Sequence, residues 1–278
     1  MSTDFEHAIA VSEVADGIYR WVVPDGWQQG RGAWGGLPVG ALIGSIRAAQ
    51  DAAGSGHGSE HSPRLVRSVN CQIYAPVLVG VQQITVNLIR RGSAMSTWSA
   101  TVIDESGAPS AQITALTGVA RELTDPPPIS TWSTITVPKV PHWSKIPVLS
   151  LPDFAPAFSK HIEQRLIEGI AMSGGAARAL GWVQFPDQHS WSPEQVYSIV
   201  DAWWPTVLAP MTQMRPLATV NFAAHLLMDP AMMPAGEPLI FESFLLGAKD
   251  GFLSETRRLW TGDGQLVLEN LQSIALIR

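Results

Sequence analysis

Residues 96–121 read STWSATVIDESGAPSAQITALTGVAR, two β-rich runs, Ser96–Ile103 and Gln112–Arg121, around the turn Asp104-Glu105-Ser106-Gly107. β-branched and aromatic residues suit a pleated, half-buried surface, and the small polar tetrapeptide supplies the reversal, so the segment reads as a β-hairpin. The chain closes on the same pattern: Phe252–Trp260 and Leu266–Ile277 flank Thr261-Gly262-Asp263-Gly264. Gly107 falls on Gly264 at an offset of 157, and Arg121 falls on Arg278 at the same 157. A fixed offset between matching turns is the mark of an internal duplication.

Upstream of each hairpin the order also repeats. In the first half, Gly17–Val23 is a strand stopped by Pro24-Asp25-Gly26, and Gly30–Gly36 is glycine-rich. Leu37–Gln50 carries Pro38 near a first helical position and Leu42, Ile43 and Ile46 at helical spacing, which predicts a buried helix. Asp51–Ser62 is a small, polar connection, and strands follow at Val69–Tyr74 and Gln82–Arg90. In the second half, Ser192-Pro193-Glu194-Gln195 is a capping box, starting a helix that should run to about Trp204, before Pro205. Strands follow at Ala218–Leu227 and Leu239–Leu246. Ser68-Val69-Asn70 matches Thr219-Val220-Asn221 at an offset of 151, with the six-residue difference absorbed by the Met- and Pro-rich insertion Met228–Pro238.

The expected fold is therefore α+β, with two antiparallel sheets, each wrapped on a central helix. The halves are 1–123 and 157–278, and the connection 124–156 holds eight prolines, which bar any long helix or inner strand. Its Trp132 and Trp143 imply that it packs along a surface. The alternative is one irregular α+β domain.

Composition narrows the function. The 278 residues are 46% hydrophobic and 15% charged, with a mean hydropathy of +0.11, which excludes a chain disordered throughout. A net charge of −6 and a pI near 5.6 argue against nucleic acid, whose phosphates need a basic field. Cys71 is alone, so no intramolecular disulfide or Cys-rich zinc site can form, as expected for a cytoplasmic protein. Met1–Asp16 lacks the basic and apolar regions of a signal peptide, and no apolar stretch approaches the ~20 residues of a membrane span.

Gly30-Arg31-Gly32-Ala33-Trp34-Gly35 fits G-x-G-x-x-G, but a dinucleotide site needs a crossover into a second parallel strand, and here the helix leads to an antiparallel block. The glycines instead let the backbone turn tightly and leave amides at a helix start open to a polar group. No Ser carries Gly at both −2 and +2, so there is no nucleophile elbow. His-Glu-x-x-His is missing too, and no metal or cofactor is assigned. No Asp precedes a His by five residues, which lowers the weight of hydratase chemistry. Asp201 is the most informative carboxylate, because it follows Val200 and precedes Ala202, Trp203 and Trp204 in an apolar context where an acid is costly to bury. Thr219 and Gln272 are polar positions in strands of the same half.

These residues resemble the TesB-like acyl-CoA thioesterase II family, the double hotdog thioesterases. Trp34-Gly35-Gly36 is similar to the family's aromatic-or-His-Gly-Gly start of the first hotdog helix. Val200-Asp201-Ala202, Ala218-Thr219-Val220-Asn221 with His225, and Leu271-Gln272 carry the likeness through the second half. The resemblance implies a catalytic set of Asp201, Thr219 and Gln272 that polarises a water to attack the thioester carbonyl and expel CoA; the oxyanion needs backbone donors, and the glycine-rich helix start at Gly35 and Gly36 is the sequence's best offer. The resemblance also implies an acyl-CoA substrate and a homo-oligomer. The registered partners of Thr219 and Gln272 in the first half are Ser68 and Ala115, so one active site per chain is expected. A non-catalytic acyl-chain binder on the same fold and an enoyl-thioester hydratase are the alternatives. The Met-rich insertion (Met228, Met232, Met233) is a candidate acyl-pocket lining.

Overall fold

The computed structural model describes residues 3–55, 64–121 and 135–277. The first half contains α1 (Asp4–Ala8), β1 (Val11–Ala15), β2 (Ile18–Val23), the two-residue strands β3 (Gln28–Gln29) and β4 (Gly32–Ala33), and α2 (Gly36–Ser55). It continues with β5 (Leu65–Ile73), β6 (Gly80–Arg91), β7 (Met95–Ile103) and β8 (Pro109–Gly118). The second half contains β9 (Glu163–Glu168), β10 (Arg178–Gln184), α3 (Pro193–Ile199), β11 (Leu217–Leu226), β12 (Leu239–Lys249), β13 (Phe252–Trp260) and β14 (Leu266–Leu276). Strands β1, β3, β4, β9 and β10 are additions to the sequence reading: β10 is buried on both faces, so its side chains do not alternate.

All the long strands join one antiparallel sheet of twelve, in the order β1-β2-β6-β7-β8-β5-β11-β14-β13-β12-β10-β9. This corrects the expectation of two separate sheets. The two halves meet where β5 pairs with β11, Ala223 opposite Asn70 and His225 opposite Ser68, so the ladder runs across the junction without an edge. The order reads the same from either end, with each first-half strand of this sheet matched by one of the second half, and β3 and β4 pair apart from it. The outermost strands carry Glu13 on β1 and Glu163, Arg165 and Glu168 on β9, charges that discourage further strand addition.

Ladder irregularities date the match residue by residue. The slip at Leu88/Arg90 in β6 recurs at Leu245/Gly247 in β12, and the slip at Val102/Ile103 against β8 recurs at Leu259/Trp260 against β14, both at an offset of 157. The slip at Val66/Ser68 in β5 recurs at Thr219/Asn221 in β11, an offset of 153. The expected offset of 151 is therefore corrected: the counterpart of Thr219 is Val66, not Ser68, and the insertion adds four residues, not six. Gln272 still falls on Ala115.

Inside the sheet lie the two central helices. α2 begins one residue earlier and ends five later than expected, and Leu37, Leu42, Ile43 and Ile46 are fully buried, each contributing about 1.5–3 kcal/mol by leaving water. α3 is shorter than expected, stopping at Ile199 instead of near Trp204, and all its residues are buried. Gly36, Gly40 and Gly44, one turn apart on α2, let α3 approach: a Cβ on Gly40 would lie 2.8 Å from Ser198 Oγ and 2.9 Å from Phe5 Cζ. One turn further on, Arg47 donates to both carboxylate oxygens of Glu194 at 2.6 and 2.7 Å. Gly40→Ala should therefore lower stability by about 1–3 kcal/mol through overpacking, read as a lower Tm with the cooperative transition retained; an unchanged Tm would show that the seam has room.

The Pro-rich connection is described from residue 135. Ile135, Val137, Val140 and Trp143 pack on Leu180, Trp182, Ile240 and Trp260, on the outer side of the second half. Trp182 Nε1 donates to the Pro141 carbonyl at 3.0 Å, and Arg165 lies over the Trp143 ring at 5.5 Å while donating to the Ile146 carbonyl at 2.6 Å. Trp143 thus packs as expected; Trp132 lies outside the described residues.

Candidate active site

Asp201 stands one residue beyond the C-cap of α3, in a turn and not within the helix. Its N–H still donates to the Ser198 carbonyl at 3.0 Å. The last carbonyls of a helix need partners, and here three side chains from distant elements supply them. Arg257 Nη1 donates to Val200 O at 3.2 Å, Trp34 Nε1 to Asp201 O at 2.8 Å, and Gln164 Nε2 to Ala202 O at 2.9 Å. The Trp34 ring is fully buried and stacks on Phe158 with centroids 5.0 Å apart. Backbone and flank are both fixed, so the carboxylate has a defined position.

The carboxylate faces the start of α2. Its Oδ1 accepts from Gln272 Nε2 at 2.9 Å and from Arg257 Nη1 at 3.2 Å. The Gly36 amide also favours the charged form of the carboxylate. A Cβ on Gly35 would stand 2.7 Å from Oδ2 and 3.6 Å from Ile73 Cδ1, so the second oxygen looks into the space this glycine leaves open. Gln272, fully buried on β14, is held in turn by Thr219 on β11, whose hydroxyl donates to Gln272 Oε1 at 3.0 Å. That bond turns the Gln272 amide hydrogens toward Asp201. The sequence-derived trio is thus one hydrogen-bonded chain, Thr219 to Gln272 to Asp201, ending at Gly35 and Gly36.

Burial is the main influence on Asp201 and raises its pKa above the ordinary carboxylate value. Arg257, Gln272 and the Gly36 amide oppose the rise, while Glu255 adds to it. Cys71, on β5 near the same acid, has its thiol pushed up to about 12 by burial and by the Asp201 charge, so it stays a neutral wall.

Arg257 and Glu255 were missed in the sequence. Both lie on the face of β13 that also carries Leu253 and Leu259, and are 1% and 0% exposed. Charges on the apolar phase of an alternating strand were the available signal. Of the Met-rich insertion, Met233 is in the core, Met228 packs against it, and Met232 is 74% exposed. An apolar depression lined by Leu217, Leu253, Leu276, Val207 and Met211 lies beyond the trio, on the same strand faces as Thr219, Glu255 and Gln272. Among the described residues no cluster of three or more His, Cys, Asp or Glu could hold a metal, and no helix is long and apolar enough to cross a membrane.

The pattern of the acyl-CoA thioesterase N-terminal domain matches residues 23–119, and that of the C-terminal domain matches residues 134–276. The chain belongs to the acyl-CoA thioesterase family, and it is an acyl-CoA thioester hydrolase. Its fold is similar to that of a conserved hot dog fold protein of unknown function from Alicyclobacillus acidocaldarius, at 18% identity over 100% of this chain and 99% of that one, with a TM-score of 0.86. It is also similar to an acyl-CoA thioesterase II from Mycobacterium marinum, at 14% identity over 98% of both chains and a TM-score of 0.72. A tesB protein from Mycobacterium avium subs paratuberculosis shares 13% identity over 99% of this chain and 98% of its own, with a TM-score of 0.74. No curated protein matches the chain in sequence. The hotdog fold is thereby shown.

Proposed function

We propose that Asp201, Gln272 and Thr219 carry the hydrolysis through an activated water. The carrying observation is the Thr219–Gln272–Asp201 chain, which leaves Asp201 Oδ2 directed at Gly35. A water at Oδ2 loses a proton to the carboxylate as its oxygen attacks the thioester carbonyl carbon. The carbonyl π electrons move to oxygen, and on collapse of the tetrahedral species the C–S bond breaks, with the pair leaving on the CoA sulfur. The proton on Asp201 then passes to that thiolate. A carboxylate raised by burial toward working pH suits this general-base role. Thr219 acts through Gln272, fixing the amide whose second hydrogen is free for the water or the oxyanion.

The oxyanion falls to the start of α2, where unpaired amides and the helix dipole favour negative charge. Because the Gly36 amide already acts on the Asp201 carboxylate, Gly35 is the donor we assign to the carbonyl. The acyl chain then leaves toward the depression of Leu217, Leu253 and Leu276. The two halves, 1–123 and 157–278 joined by 124–156, form a double hotdog with one site per chain. Position by position, the first half has Val66 and Ala115 where Thr219 and Gln272 stand. We also assign the enzyme to the cytoplasm as a homo-oligomer.

Single-turnover hydrolysis of an acyl-CoA in water enriched in heavy oxygen tests the water step. The label is expected in the free acid on the first turnover. Label absent from the acid and found instead on Asp201 would mean that the carboxylate attacks as a nucleophile through an anhydride, and would overturn the proposal.

A further inference from the structure

Beyond the trio, Asp201 is tied to a second set of buried polar groups. Arg257 Nε donates to Glu255 Oε1 at 2.8 Å, and its Nη1 reaches Asp201 Oδ1 and Val200 O, both at 3.2 Å. Glu255 Oε1 also accepts from Ser243 Oγ at 2.8 Å, and Oε2 accepts from the Thr206 amide and hydroxyl, both at 2.7 Å. Taking such ions out of water is costly, and a buried ion pair is weak evidence for stability. The sister half shows that the fold does without them. At the registered offset of 157, Ser243, Glu255 and Arg257 correspond to Val86, Trp98 and Ala100, which are all buried and apolar or small. The same strands therefore close over an apolar core in one half and over two carboxylates sharing one guanidinium in the other. Of the two halves, the one with the polar version is the one that holds Asp201.

We propose that Arg257 and Glu255 are positioning residues for the hydrolysis. Arg257 pins Asp201 by Oδ1, favours its charged form against burial and leaves Oδ2 facing Gly35, while Glu255 opposes that influence and anchors the turn after Asp201 through Thr206. This rests on the reading of Asp201 as the base. The groups facing Asp201 are Arg257 and Glu255 from β13, the Cys71 thiol from β5, the Gln272 amide from β14 and the Gly36 amide from α2. With the thiol pushed up to about 12, the charged side chains among these groups are Arg257 and Glu255.

The signs follow. A base must be ionised, so kcat/KM falls as pH drops through its pKa. Removing the Arg257 charge disfavours the carboxylate and moves the acid limb to higher pH; removing the Glu255 charge relieves repulsion and moves it lower. The experiment is the pH profile of acyl-CoA thiol release for the wild type, Arg257→Gln, Arg257→Lys and Glu255→Gln, each with its Tm. Arg257→Gln is expected to shift the limb upward by about one to three pH units. Arg257→Lys should keep it near the wild-type position with a lower kcat, since the charge survives but the planar fork does not. Glu255→Gln should shift it downward. Packing alone would lower Tm without giving shifts of opposite sign, so limbs that stay put, or move in one direction in both charge-removing variants, overturn the proposal. If Arg257→Gln fails to fold, the direction of the Glu255→Gln shift decides. A wild-type profile with no acid limb would instead remove the reading of Asp201 as base.

Discussion

Asp201→Asn is expected to lower kcat for acyl-CoA hydrolysis by about 10²- to 10⁴-fold, the usual contribution of a positioned general base. The change is nearly isosteric, so the Trp34 bond to the Asp201 carbonyl and the turn after α3 remain. What disappears is the proton acceptor at Oδ2. Arg257 would retain Glu255 and the Val200 carbonyl, so its charge is not stranded and the fold survives. A base removed in this way takes with it an interaction made only in the transition state, so the loss should fall on kcat and leave KM within a few-fold. Steady-state thiol release by a variant of near-native Tm is the measurement. A loss of less than about tenfold would place the base elsewhere.

What the sequence disclosed about this site depends on the distance over which each determinant acts. The hairpins at Asp104–Gly107 and Thr261–Gly264 were legible because turn chemistry is local, and they set the 157 offset correctly. The β5/β11 register was misread by two residues for a physical reason: a shift of two preserves which side chains face inward. Nothing in the alternation of Val66, Val69 and Cys71 distinguishes the two alignments, and the paired slips at Val66/Ser68 and Thr219/Asn221 are visible only in the ladders. The end of α3 was misjudged because its caps are not neighbours in sequence. Arg257, Trp34 and Gln164 come from three other elements to hold carbonyls 200 to 202. Without them the only stop signal was Pro205, several residues too late. Asp201 stood out by its apolar context, where an acid is costly to bury, but its role, and Thr219 and Gln272 with it, came from family likeness; the residue types of the last two alone would have left each as ordinary sheet chemistry. Glu255 and Arg257 broke a visible alternation, and that local conflict was the signal left unread.

Gly35 and Gly36 make the sharpest separation between site and scaffold, because adjacent glycines should fail in different ways when given the same methyl group. At Gly36 the new carbon would lie 2.3 and 2.4 Å from two Trp34 ring atoms and 2.6 Å from the Ser198 carbonyl oxygen. Neither neighbour can yield. The indole is fully buried and tied to Asp201 O, and the carbonyl is helix backbone that accepts the Asp201 N–H. Gly36→Ala is therefore expected to cost about 3 kcal/mol or more, at the upper end of overpacking penalties. At Gly35 the atom met at 2.7 Å is Asp201 Oδ2, the free end of a side chain, and the next, Ile73 Cδ1, is at an ordinary 3.6 Å. The carboxylate can swing, so Tm should fall little. Swinging, however, breaks its alignment with Gln272 and fills the space assigned to water. A displacement of about 1 Å can cost a factor of about 10² in rate, and Gly35→Ala should lose about that much in kcat while melting close to the wild type. Thermal unfolding and thiol release on the two variants give the crossed pattern directly. If Gly35→Ala melts as low as Gly36→Ala, Gly35 is a packing residue and Oδ2 does not face open space; if it keeps full activity, the water lies elsewhere.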